Sequence, residues 1–196
     1  MEVAGSTDKV NILAQLDRSP GYSDAEGNWT GARRYYVTKD NDAYITSPVI
    51  EDLGNIDSGS IDEVIDFVQW GVDYYPADKY ALVIWNHGWS WSFTQRGTVN
   101  KGIASDDSTG NSISVAEGDM TQMLEEVTAI TGKKLEVFGM DACIMQSWEI
   151  AHESYPYANY YVASQDYESF DGWDYEYSML DLIADPTMDG AALGES

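Results

Sequence analysis

The chain has 196 residues, 43% hydrophobic and 13% aromatic, with 34 acidic against 10 basic residues and a net charge of −24. That length and apolar content suit a single domain, residues 1–196, with a sizeable core, and exclude a disordered chain. The charge argues against nucleic acid and anionic membranes as partners, because both need clustered Lys and Arg. It favours solubility and the attraction of cationic ligands, although plain solvation is the commoner role of such a surface.

A single cysteine rules out an internal disulfide. No apolar run approaches the length of a membrane span. The residues before Val10 are polar and lack the apolar centre of a signal peptide.

Val10, Ile12, Ala14 and Leu16 alternate and predict a first strand, followed by a turn-rich loop over 17–30. Residues 33–38 predict a second strand, and 40–57 mix a short hairpin-like piece with loop. Ser60 and Glu63 form a capping-box pattern ahead of a helix with Ile61, Val64, Ile65 and Val68 on its apolar face. A continuous apolar strand, YALVIW, then ends in Asn86-His87-Gly88. After a polar and aromatic loop, Ser114 and Glu117 predict a second capping box. It opens a helix with Met120, Met123, Leu124, Val127 and Ile130 facing the core and Gly132 at its stop.

Leu135–Phe138 reads as a further strand, with Gly139 marking its end and Asp141, Ala142 and Cys143 on the turn beyond. Ile144, Met145, Trp148 and Ala151 are spaced for a helix face. Cys143 is therefore expected near a helix N-terminus, where unpaired N–H groups favour a thiolate. Residues 160–163 predict another strand and 179–183 a short helix. Strands alternating with helices imply an α/β fold with a parallel sheet covered on both faces.

His87 and Cys143 each follow an apolar strand. In a parallel sheet both emerge at the carboxyl edge, where open α/β sheets place their sites. A lone cysteine with a histidine on a separate segment fits a nucleophile and its base. Gly88, without a Cβ, allows close backbone approach. Taken alone, Cys143 is more simply a small buried hydrophobe and His87 a satisfied loop residue. His152 lies more than two helical turns past Cys143 and is expected to be structural.

WNHGW and MDACIMQSWEIA together resemble the clostripain family of cysteine endopeptidases, relatives of caspases. QLDR, ARRYYV, DLG, YPADKYALVIWNHG, ASDD and DGWDY carry the resemblance through most of the chain. The resemblance implies a caspase-like, mainly parallel sheet with helices on both faces. It implies a His87–Cys143 dyad cleaving after Arg or Lys in protein or peptide substrates. The N–H groups of Gly88 and Cys143 become oxyanion-hole donors. Asp141, two residues before Cys143 and on the same side of an extended backbone, becomes a pocket carboxylate. Asp171 becomes a second, with Asp166, Glu168 or Asp174 as substitutes, because 165–170 departs from the family pattern.

The resemblance further implies self-cleavage in the loop between the His and Cys strands, where Lys101 is preferred over Arg96. It implies a secreted or cell-surface protein whose leader is absent here, acting as a monomer. Family catalytic domains run longer, so the C-terminus reads as truncated. No cofactor is required for the chemistry and no metal site is assigned. Calcium is the one cofactor considered, at Asp106, Asp107, Ser108, Gly110 and Asn111, although their spacing does not match a helix–loop–helix calcium loop. Asp106 or Asp107 could also orient His87. Two rival readings remain, a non-catalytic carbohydrate- or peptide-binding module with aromatic stacking surfaces, and a glycoside hydrolase using paired carboxylates.

Overall fold

A computed structural model describes residues 1–91, 102–169 and 171–196. The described chain forms two compact units, Met1–Ile56 with Asp174–Ser196, and Asp57–Trp173.

The first unit is built on an antiparallel sheet of β1 (Leu13–Arg18), β2 (Gly31–Tyr36) and β3 (Val49–Gly54), in that order. The first strand starts later than alternation predicts, yet Val10 and Ile12 still bury. With Ala4 and Val37 they pack against Met179, Leu180, Leu182 and Ile183 of a helix at Tyr175–Ala184. Buried Arg34 on β2 joins its two neighbours. Its Nε donates to Gln15 Oε1 at 2.8 Å and its Nη1 to Glu51 Oε2 at 3.0 Å. A second short helix, Gly190–Glu195, was not anticipated from the sequence.

The second unit holds helix α1 (Ile61–Tyr74), strand β4 (Ala81–Trp85), helix α2 (Asp119–Thr131), strand β5 (Leu135–Asp141), helix α3 (Trp148–Ser154) and strand β6 (Ala158–Ala163). Helix α1 starts where the sequence predicts, with Ser60 Oγ accepting from the Asp62 N–H at 3.2 Å. Helix α2 starts four residues late. Ser114 does accept the Glu117 N–H at 3.1 Å, but Gly118 sits in the left-handed region (φ 92°) and separates that turn from the helix.

Strands β4, β5 and β6 are parallel, with Leu82 beside Phe138, Ile84 beside Met140 and Trp85 beside Asp141. Phe138 and Met140 are fully buried and share one core with Leu82, Ile84, the α2 face Met120, Met123, Leu124 and Val127, and Ile150 of α3. Ile61, Val64, Ile65 and Val68 of α1 pack against the same core. The α/β class with a parallel sheet is the one that the periodicity predicts.

Strand β5 does not end at Gly139 but runs two residues further, because Gly139 fills a packing role. A Cβ there would lie 3.0–3.1 Å from the Trp173 ring and 3.1 Å from Val83 Cγ2. Gly139→Val is expected to destabilise the fold by about 1–3 kcal/mol through overpacking. Urea unfolding of the variant beside the wild type measures it as a lower midpoint.

Candidate active site

The site grows out of one register. Trp85 and Asp141 are paired neighbours at the carboxyl ends of β4 and β5. His87 and Cys143 each lie two residues beyond that pair, past the ends of strands that pair about 4.8 Å apart. The Asn86 N–H reaches the Asp141 carbonyl at 3.4 Å, carrying the pairing past the strand ends.

Gly88 closes the gap. A Cβ on it would collide with the Cys143 carbonyl oxygen and lie 2.8 Å from Met145 Cγ and 3.0 Å from Ala142 Cβ. The backbone of the histidine segment thus rests directly on the backbone of the cysteine turn. Behind it, Gly88 bridges Ile103, and the Trp89 N–H donates to the Gly102 carbonyl at 2.9 Å. The Asn86 side chain donates to the Ser105 carbonyl at 3.2 Å. His87 itself is exposed, with its ring centroid 6.4 Å from that of Trp89.

Cys143 sits on a turn, not at a helix N-terminus. Helix α3 begins only at Trp148, and Ser147 caps it by accepting the Ile150 N–H. The reason is local. Ile144 adopts φ 52°, an uncommon conformation for a β-branched residue, so the chain cannot pass straight from strand into helix.

Tyr161, Ser164, Asp166 and Glu168 hold this turn in place. The Ile144 N–H donates to the Asp166 carbonyl at 3.0 Å and the Gln146 N–H to the Ser164 carbonyl at 2.8 Å. The Tyr161 hydroxyl donates to the Met145 carbonyl at 2.8 Å, and burial raises its pKa so that it keeps that proton. The Glu168 N–H donates to Cys143 Sγ at 3.3 Å, and the sulfur is half-buried.

Asp141 is 2% exposed, and its Oδ2 accepts the Trp173 N–H at 3.0 Å. The carboxyl group brought against it is that of Glu168, whose Oε1 accepts the Trp173 indole N–H at 2.9 Å. Burial, and then the proton-sharing contact and charge of Asp141, push the Glu168 carboxyl above its ordinary range, against the lowering effect of the indole donor. Asp171 is exposed, and its N–H donates to Ser169 Oγ at 3.4 Å. Gly172 (φ 65°) approaches so closely that a Cβ would lie 2.7 Å from Asp141 Oδ2 and 3.1 Å from Trp85 Nε1. Trp173 was missed in the sequence. Its only signal was its place inside DGWDY.

The acidic loop does structural work. Asp106 Oδ2 accepts the Ser58 N–H at 2.9 Å. Its Oδ1 accepts the Ser108 N–H and hydroxyl, each at 2.6 Å, and the Thr109 N–H at 3.0 Å. Neighbouring Asp57 accepts from the Thr109 hydroxyl and the Asn111 amide. These bonds commit both Asp106 oxygens to main-chain and hydroxyl donors of Ser58, Ser108 and Thr109. No group of three or more His, Cys, Asp or Glu able to hold a metal occurs among the described residues. Exposed His152 lies on α3, as expected. Arg96 and Lys101 lie outside the described residues.

The sequence profile of the clostripain family matches residues 1–195. The chain belongs to the clostripain family. It is 30% identical over 158 residues to clostripain from Hathewaya histolytica, a match covering 75% of this chain and 30% of that protein. The fold resembles a secreted C11 cysteine protease from Bacteroides thetaiotaomicron, solved with an irreversible peptide inhibitor. That likeness has a TM-score of 0.70 at 22% identity, over 94% of this chain and 46% of the other. An inactive zymogen of a C11 protease from Parabacteroides distasonis matches with a TM-score of 0.52 at 20% identity, over 78% of this chain and 39% of the other. The chain therefore spans less than half the length of each of these relatives. The α/β fold is the caspase-like fold of the C11 proteases.

The buried Asp106 carboxyl yields a pH signature. Burial opposes its ionisation, but the donors from Ser108, Thr109 and Ser58 win and hold it below the ordinary carboxylate value. A lowered folded value means that its stabilisation is complete above the unfolded value and is lost as pH falls through the folded one. Asp106→Asn is expected to cost about 1–3 kcal/mol at neutral pH, with the deficit shrinking toward pH ~3. Denaturant titrations of both proteins at stepped pH measure that convergence.

Proposed function

We propose that the chain is a cysteine endopeptidase, with residues 1–196 belonging to one peptidase domain, that cleaves after Arg or Lys. The observation that carries the reading is the parallel register of β4 and β5, with Gly88 seated on the Cys143 carbonyl. It supports reading the histidine segment and the sole cysteine of the chain as neighbours at one sheet edge.

His87 takes the thiol proton, and the Cys143 thiolate attacks the scissile carbonyl carbon. The Gly88 and Cys143 N–H groups receive the developing oxyanion. As the intermediate collapses, the C–N bond breaks, the imidazolium gives its proton to the departing amine, and a thioester remains. Water, deprotonated by His87, attacks the thioester and releases the peptide acid and the thiol. No cofactor is needed for these steps.

Asp141 supplies the carboxylate for the basic side chain. Glu168 touches it and supports a two-acid pocket, while Asp171 is retained as a second acid from the family resemblance. A guanidinium or ammonium between two carboxylates relieves their repulsion with charge-assisted hydrogen bonds, whereas an apolar side chain leaves them desolvated. Protein or peptide segments bearing Arg or Lys are thus the substrates, met by a monomer. Self-cleavage after Lys101 and a secreted or cell-surface location rest on the family and on the zymogen and secreted relatives.

Cys143→Ala is expected to abolish turnover of short peptides ending in Arg or Lys, and His87→Ala to lower it at least ~10²-fold, both with the fold retained. Activity surviving in Cys143→Ala would sink the reading and favour another hydrolytic chemistry, whereas absence of turnover in the wild type would favour a binding module. Asp141→Ala is expected to cut kcat/KM for Arg substrates about a hundredfold more than for matched Leu substrates, or about 2.7 kcal/mol.

A further inference from the structure

Glu168 and Trp173 meet the active site at two places, and one side chain joins them. At the first, the Glu168 N–H donates to Cys143 Sγ at 3.3 Å across 25 residues of chain. At the second, Trp173 is fixed three ways. Its ring occupies the space that a Gly139 Cβ would need, its N–H donates to Asp141 Oδ2 at 3.0 Å, and its indole N–H donates to Glu168 Oε1 at 2.9 Å. The main-chain bonds from Ile144 to Asp166 and from Gln146 to Ser164 anchor the chain but lie before Glu168. The indole therefore grips the same residue whose N–H faces the sulfur.

We propose that Trp173 is a positioning residue for the nucleophile, holding Glu168 so that its backbone N–H stays on the Cys143 sulfur. The proposal rests on the reading of Cys143 as the nucleophile. An N–H donor directed at sulfur favours the thiolate over the thiol and fixes the direction of its attack. The Glu168 side-chain charge acts in the opposite sense, since a nearby carboxylate disfavours a thiolate. Position and charge can therefore be separated by substitution.

Alkylation by iodoacetamide reads Cys143 alone, because the chain has no other cysteine. It needs no peptidase turnover, so a chain without hydrolytic activity would defeat the proposed function while still deciding this point. The quantity measured is the pH midpoint of the alkylation rate. Trp173→Phe keeps a ring over Gly139 and the Glu168 charge but removes the indole donor. Its midpoint is expected to rise, lowering the rate below the midpoint on the order of tenfold, the effect of one pKa unit. Glu168→Leu removes the acceptor without touching Trp173, and is expected to move the midpoint the same way despite losing a negative charge. It keeps the test decisive if Trp173→Phe does not fold. Glu168→Gln retains the Oε1 acceptor and is expected to leave the midpoint unchanged or lower it. An unmoved midpoint in the folded Trp173→Phe or Glu168→Leu variant would overturn the proposal, as would a rise of equal size in Glu168→Gln.

Discussion

The structure around the site depends on one constraint, the parallel pairing of β4 with β5 in a register that sets Trp85 beside Asp141. A slip of one residue would turn every side chain beyond it to the opposite face. The register is fixed from below by Leu82, Ile84, Phe138 and Met140 in one core layer, and from above by Gly88 on the Cys143 carbonyl. Hydrophobic burial thus decides which two segments adjoin beyond the sheet, although neither His87 nor Cys143 lies within that core.

Around this frame the acids divide by environment. Asp106 is surrounded by donors and stays ionised, so its charge serves to knit a loop to Ser58. Glu168 faces another carboxyl and resists ionisation, despite a donor from Trp173. Burial opposes ionisation at both; N–H and hydroxyl donors outweigh it at Asp106, whereas a neighbouring carboxyl adds to it at Glu168. In a chain of 34 acidic residues, that local environment separates an ionised acid from one that holds its proton more tightly.

Periodicity made the helices and the core legible. The α1 face, the α2 face and the two apolar strands ending in His87 and before Cys143 are each written in consecutive residues. Failures arose where a tertiary contact overrode a local signal. Gly139 looks like a terminator because its packing partner, Trp173, lies 34 residues away and no local pattern announces it. Ser114 and Glu117 form their turn, but Gly118 prevents the helix from starting there. The turn at Ile144 kept Cys143 away from α3, which spacing alone could not foresee. The Asp141–Glu168 contact is likewise a product of the folded loop.

The contact at Gly88 is made between main chains. A junction of peptide groups does not depend on the identity of the side chains around it, provided position 88 carries none. Substitutions at the surrounding side chains can therefore be made with little disturbance to the alignment of the two segments. Variation around the junction and constancy of its geometry are compatible in such a design, with the burden of constancy falling on the smallest residue present.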